Sequence, residues 1–468
     1  MLFSSATFLF AFLPVVALLY YLIPKRCTAA RNLFLTGASL LFYAWGEPRF
    51  VLVMLLVIVS SWLFACKIEA SAKSARKGFL LVAVSVDLTV LFVFKYLGFF
   101  TENLNRLPFV RLPVPQITLP IGISFFTFQA ISYVVDVYRG EAAQKSLWDV
   151  MLYIAFFPQL IAGPIVRYSD FADQIHNRQE SLQNWNRGGY RFAIGLGKKV
   201  ILSNNLAYVA DAAFSSVGNL SFSMAWIGAV GYSLQLYFDF SGYSDMAIGL
   251  GQMFGFHFLE NFNYPFISRS ITELWRRWHI SLGSWFRDYV YIPLGGSRCR
   301  LRRTCLNLLI VFALTGLWHG AAWQYVVFGL LHGIILCMER LGLRRALEQL
   351  PRLFRHLYTV VLLWLTLVIF GAPGLSEGLA VLKGIFTWQS GAKGYTLAAF
   401  ADTKLLLILA ASFLLCGPVQ ALCPKLKAAL YAKKAPSPAG MAGLLVLLFL
   451  GLMRVTAGTY SAFIYFQF

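Results

Sequence analysis

"TCLNLLIVFALTGLWHGAAWQYVVFGLLHGIILCM", residues 304–338, contains no Asp, Glu, Lys or Arg and is interrupted only at His319 and Gly320, which separate two apolar runs, 304–318 and 321–338. Runs of this kind approach the roughly 20 residues that cross a bilayer. Others cover 2–23, 33–45, 50–66, 79–94, 117–135, 147–166, 222–238, 357–373, 404–423 and 440–453. With 59% hydrophobic residues, 13% charged residues and a mean hydropathy of +0.67, the composition excludes a soluble globule and points to a polytopic membrane protein. Short runs can tilt, re-enter or pack inside a bundle. The expected architecture is therefore all-α, with about eleven transmembrane helices plus re-entrant and interfacial helices, in a single domain over residues 1–468.

The net charge of +20 over 468 residues raises the question of nucleic acid, but the basic residues sit in short loops between apolar runs and form no long stripe. Anionic lipid headgroups are the simpler partner, and no nucleic acid is expected. The loop after the first run carries Lys25, Arg26 and Arg31, and the loop after the third carries Lys67, Lys73, Arg76 and Lys77; the 47–49 turn is nearly neutral. By the positive-inside rule both basic loops, and 424–438, are cytoplasmic, and the N-terminus is outside. No Lys or Arg precedes the run 2–23. Its positive charges follow it, the reverse of a signal sequence, so it is expected to be a retained first helix. The seven cysteines, 27, 66, 299, 305, 337, 416 and 423, form no CxxC pair and suggest neither a disulfide framework nor a zinc site.

Two stretches break the apolar pattern. Residues 167–200, rich in Asn, Gln and Arg, read as an interfacial amphipathic segment with Lys198 and Lys199 at its cytoplasmic end, or as a solvated loop; His176 within it carries no chemical signal. The second is "ENFNYPFISRSITELWRRWHISLGSWFRDYVYIPLGGSR", residues 260–298, where arginines alternate with tryptophans and tyrosines. Read as a helix after Pro265, its Ile271, Trp275, Trp278, Leu282, Trp285 and Tyr289 form one stripe, with Glu273 placed to pair with Arg276 or Arg277. That pattern suits a helix at the membrane interface or sunk partway into the bundle, with His279 one turn from Trp275, Arg276 and Gly283.

An imidazole at membrane depth is costly, which makes function the default reading of His319. Helical arithmetic gives it Thr315, Gly316, Ala322 and Trp323 as neighbours, three of them small, so that a thin substrate can approach. His332, about 220° around on the same helix, reads as structural. There is no HExxH, no His pair at i, i+4 and no Cys/His cluster, so no metal is expected. GxSxG, P-loop and GxGxxG motifs are also absent. The chemistry that remains is general-base catalysis by a neutral imidazole, whose ordinary pKa of about 6.5 permits proton uptake near pH 7.

The blocks "LPIGISFFTFQAISYVVDVYRG" (119–140), "FPQLIAGPIVRYSDF" (157–171), 237–296 with its central "WRRWH", "LTGLWHGAAW" (314–323) and the terminal "FIYFQF" (463–468) resemble the membrane-bound O-acyltransferase (MBOAT) superfamily, in its bacterial alginate O-acetyltransferase branch. The resemblance implies a ring of transmembrane helices around a thinned centre, in a bacterial cytoplasmic membrane. It implies His319 as the catalytic histidine and His279 as a second site residue, with Trp275, Arg276, Trp278, Trp318 and Trp323 as substrate-binding residues. The activity implied is transfer of an acyl group, acetyl by the branch, from a cytoplasmic thioester such as acetyl-CoA to an acceptor hydroxyl. No tightly bound cofactor is expected. His319 would deprotonate the hydroxyl, and His279, or Arg276 beside it, would supply a donor to the developing oxyanion.

Outer loops of 16–22 residues are too short for a polymer-binding domain, so a separate extracytoplasmic protein is expected to take the acyl group or present the polysaccharide. Two other readings are a D-alanyl transferase for teichoic acids and a polysaccharide or lipid transporter. The transporter would use Asp87, Lys95, Asp136, Asp239 and Asp245, each of which can equally be half of a buried pair, and no repeat symmetry supports it. The topology is tested by impermeant thiol labelling of a Lys73→Cys variant: protection in intact cells is expected, and labelling there overturns the assignment.

Overall fold

The computed structural model describes all residues except 216–219, 389, 391–395, 401, 424–437, 457–463 and 465–468, and every element among the described residues is helical. The basic loop and the aromatic tail therefore lie outside the described residues, apart from Pro438 and Ile464. Among the described residues, six helical stretches are long and apolar enough to cross a membrane: Val51–Ala70, Lys73–Leu104, Leu301–His319, Trp323–Gln349, Arg352–Gly371 and Thr403–Leu422. Phe8–Leu22 and Ala442–Thr456 are shorter apolar helices. The runs read at 117–135 and 147–166 do not yield long spans. They fold as Ile123–Arg139, which buries Gln129 and Asp136, and as the nine-residue Leu147–Ala155, which ends before Pro158.

Two compact units are present. The first comprises residues 1–189 and 247–259. It contains α1 (Leu13–Leu22), α2 (Thr28–Ala44), α3 (Val51–Ala70), α4 (Lys73–Leu91), α5 (Ile123–Arg139) and α6 (Leu147–Ala155). Phe8, Phe12, Phe42 and Phe157 interlock as an aromatic core with ring centroids 5.5–6.3 Å apart. Helix α5 starts at Gly122, in a left-handed conformation (φ +79°) where an added Cβ would stand 2.8 Å from the Leu160 carbonyl oxygen. Only glycine fits that close approach. Two polar pairs tie distant segments of this unit: Lys95 donates to Ser124 Oγ (3.0 Å), and Arg178 donates to Asn32 Oδ1 (2.6 Å).

The second unit comprises 190–246 and 260–468. It holds most of α7 (Phe222–Met253), then α8 (Ile271–Trp275), α9 (Ile280–Phe286), α10 (Leu301–His319), α11 (Trp323–Met338), α12 (Arg352–Gly371) and α13 (Thr403–Leu415). Lys198 and Lys199, which close the polar stretch 167–200, do not point away from the unit. They turn into the unit, Lys199 pairing with Asp239 at 2.5 Å and Lys198 with Asp245 at 2.6 Å, while Arg191 also reaches Asp245 at 2.7 Å. Carboxylates this deeply buried need such partners to remain charged.

Helices α10 and α11 form a tight hairpin. The chain leaves the helix at Gly320 and re-enters it at Trp323, so His319 and His332 lie on different helices. The hairpin closes because glycines face backbone: a Cβ on Gly316 would collide with the Tyr325 carbonyl, and one on Gly329 with the Phe312 carbonyl. Small residues at such crossings are how membrane helices approach closely. Gly329→Ala should therefore destabilise the purified protein by about 1–3 kcal/mol, as overpacking does. Gly37→Ala, with open space at its Cβ, should change thermal unfolding in detergent by less than about 0.5 kcal/mol.

Candidate active site

Residues 260–298 do not form one helix. Helix α8 is capped by Ser270, whose Oγ accepts from the Glu273 amide (3.0 Å), with Glu273 reaching back to the Arg269 amide (3.0 Å). A Ser-x-x-Glu spacing suits such a cap. Beneath it lies Glu339, 2% exposed, whose carboxylate accepts from the amides of Ile271 (2.7 Å) and Thr272 (2.8 Å), from Thr272 Oγ1 (2.5 Å) and from Tyr358 Oη (3.1 Å). Glu273 pairs with Arg277 at 2.8 Å, one of the two partners expected.

The helix then breaks. His279 sits between α8 and α9 in the left-handed region (φ +46°, ψ 53°), an uncommon conformation for a residue with a Cβ, which costs about 1–3 kcal/mol. Asn261 holds it there. The Asn261 carbonyl accepts from the Ile280 amide (2.9 Å), and its side-chain Oδ1 accepts from the Ser281 amide (3.2 Å) and Ser281 Oγ (2.9 Å) and lies 3.1 Å from His279 Nδ1. Asn261 Nδ2 donates to Ser244 Oγ on α7 (3.0 Å). Four of the stripe's six residues are nonetheless buried, Ile271, Trp278, Leu282 and Trp285 each at most 6% exposed, while Trp275 and Tyr289 are half-buried.

The break brings His279 to His319. Both rings are buried, 1% and 5% exposed, with centroids 6.5 Å apart, although forty residues separate them in sequence. Trp318 packs against both, at 5.9 and 5.2 Å, while Phe240 lies edge-on to His279 and Phe370 edge-on to His319. Burial, reinforced by the neighbouring His319, holds the His279 imidazole well below its ordinary pKa. It is neutral at pH 7.

Of the expected substrate-binding residues, Trp318 therefore joins the two histidines. Trp278 is buried against Tyr237 and Phe262, with centroids at 6.2 and 5.3 Å. Trp275 donates its indole N–H to His332 Nδ1 (3.2 Å), and His332 Nε2 lies 3.0 Å from Thr366 Oγ1, so His332 braces the site rather than lining it. Arg276 is exposed, and Trp323 is 45% exposed. The space that Gly316 seemed to offer beside His319 is closed by Tyr325, whose carbonyl a Cβ on Gly316 would strike. Sequence reasoning missed Asn261 and Glu339. Both are single polar residues whose partners are distant in sequence, and no local pattern marks them. A separate cleft of about 500 Å³ in this unit, lined by residues including Asn204, Tyr208, Lys404 and Arg454, contains neither histidine. No cluster able to hold a metal ion occurs among the described residues.

A buried pair of imidazoles of this kind can move a proton in a site sheltered from water. Comparison with known proteins fits that chemistry. The model of the membrane-bound O-acyltransferase family matches residues 51–376, a span that includes both histidines. The chain is 40% identical to the probable alginate O-acetylase AlgI of Azotobacter vinelandii, covering all of both proteins. It is 36% identical to the peptidoglycan O-acetyltransferase of Helicobacter pylori over 82% of the chain and 80% of that protein. It is 28% identical to the teichoic acid D-alanyltransferase of Bacillus subtilis over 66% of the chain and 80% of that protein. The resemblance read from the WRRWH and LWHG blocks therefore holds over the full length, and the chain belongs to the membrane-bound O-acyltransferase family as a multi-pass O-acyltransferase of the alginate O-acetylase branch.

Proposed function

We propose that this chain transfers an acetyl group from acetyl-CoA on the cytoplasmic side to a hydroxyl on the other side of a bacterial cytoplasmic membrane. The acceptor belongs to a polysaccharide, or to an extracytoplasmic partner that relays the group. The observation that carries the reading is the convergence of His279 and His319 at 6.5 Å in a buried aromatic setting. In this mechanism His319 removes the acceptor hydroxyl proton, the oxygen attacks the thioester carbonyl, the C–S bond breaks and the proton leaves with the thiolate. Burial excludes water that would otherwise hydrolyse the thioester. Trp275, Trp278 and Trp318 shape the pocket. The exposure of Arg276 argues against it as the oxyanion donor. The acetyl-CoA stays on the inner face as a substrate rather than a resident cofactor.

The wider arrangement proposed is a ring of about eleven spans with the N-terminus outside, counting tilted and short helices as well as long ones. A D-alanyl donor is the weaker alternative, since the D-alanyltransferases are more distant relatives than the O-acetylases. Transport is weaker still. Asp239 and Asp245, which a transport path would use, are engaged by Lys199, Lys198 and Arg191.

Three measurements test the proposal. Purified protein given radiolabelled acetyl-CoA or a D-alanyl carrier thioester should turn over the first; preference for the second overturns the acetyl assignment. His319→Ala should lower acyl transfer by about 10²–10⁴ while the protein remains folded in the membrane. Near-normal turnover in that variant refutes the mechanism. In proteoliposomes the chain alone should consume donor slowly and leave polysaccharide unmodified until a partner is supplied. Efficient polymer acetylation by the chain alone refutes the relay.

A further inference from the structure

The ring nitrogens of His279 are distinguishable, because Asn261 decides which one carries the proton. An amide side chain can be placed either way round, but here one contact is unambiguous. The Ser281 backbone N–H can only donate, so the Asn261 atom facing it at 3.2 Å is the oxygen. That same oxygen lies 3.1 Å from His279 Nδ1. An oxygen that only accepts requires a donor opposite it, so Nδ1 bears the hydrogen. In a neutral imidazole the other nitrogen, Nε2, then bears the lone pair.

We infer that Asn261 is a positioning residue that locks His279 in the Nδ1–H tautomer, making Nε2 a fixed proton acceptor and excluding neutral His279 as the donor to the oxyanion. This rests on the proposed acyl transfer and assigns roles within the same site. When His319 takes the hydroxyl proton, the neighbouring His279 ring, its Nδ1–H already given to Asn261, brings no second N–H against the imidazolium that forms. The O–C bond forms, the C–S bond breaks and the proton passes from His319 to the departing thiolate. A charge on His319 is then felt by His279.

The surroundings leave few other charges to consider. His319 is the titratable group that faces His279, from α10. Helix α7 contributes Phe240 against the ring and Ser244 against Asn261. On the segment of His279 itself, Arg277 is held by Glu273 and the Asn263 carbonyl, and Arg276 is exposed.

The test compares Asn261→Asp, Asn261→Ala and Ser281→Ala in the full chain reconstituted in proteoliposomes, reading acetyl-CoA turnover as thiol release across pH. In Asn261→Asp a carboxylate accepts the same three donors and adds negative charge beside Nδ1–H. That charge favours the protonated pair and should move the acid limb of kcat/KM up by about one pH unit or more. Asn261→Ala, which frees the tautomer, should lower kcat by about tenfold or more at unchanged KM. Ser281→Ala removes one donor to the same oxygen and should leave the acid limb in place. Solid-state NMR of the 15N-histidine-labelled protein, with the His279 signals identified by their loss in His279→Ala, should show a protonated Nδ1 and a bare Nε2. A bare Nδ1, an unmoved acid limb in Asn261→Asp, or an equal shift in Ser281→Ala overturns the inference. Loss of turnover in His319→Ala alongside any of those results would leave the acyl-transfer reading standing and this assignment alone refuted.

Discussion

Glu339 is a carboxylate cut off from water, and the active-site segment hangs from it. A buried acid is tolerable only when donors replace its hydration, and removing one partner strands the rest. Four donors converge on it, two from the first amides of α8, one from the Thr272 hydroxyl and one from Tyr358 on α12. The carboxylate thus ties α8 to the end of α11 and to α12 in one contact. About two helical turns back along α11, His332 makes a second tie between the same three helices through Trp275 and Thr366. With two ties the short helix α8 can neither slide nor roll, and a five-residue helix has little intrinsic stability of its own to resist either.

Elsewhere the same unit repeats this economy of charge. Lys199 meets Asp239, and Arg191 and Lys198 meet Asp245, at positions where the glycines Gly195 and Gly242 let two backbones come close. Pairs of this sort contribute little net stability, but they permit one register and penalise its neighbours, since a slip of one turn would bury charges without partners. A residue in the tail is fixed in the same way: the Ile464 amide donates to Asp239 Oδ2 at 2.9 Å.

Membrane character, the helical class and the two histidines were legible because each depends on a signal carried within a short window: apolar runs, a lone imidazole among Leu, Trp and Gly, an alternation of Arg and Trp. The stripe from Ile271 to Trp285 correctly marked what is buried, yet not how. A single helix satisfies the pattern, but the chain bends at His279 because Asn261, Ser244 and Ser281 offer a better set of hydrogen bonds than helix continuation does. Likewise the helical arithmetic around His319 assumed a helix continuing past Gly320, where Tyr325 folds back into the space. The buried pairing of Lys198 and Lys199 was not legible because their partners, Asp245 and Asp239, lie about forty residues downstream. In each case a long-range polar partner overrode a local periodicity.

The left-handed backbone at His279 separates the protein's abundance from its competence. Glycine or asparagine occupies that conformation more comfortably than histidine does, so the native residue holds strain that either replacement would relieve. A chain carrying such a replacement would be inserted, retained and spared by quality control at least as well as the native one. Expression level and membrane yield would therefore report health in a molecule that had lost half of its imidazole pair.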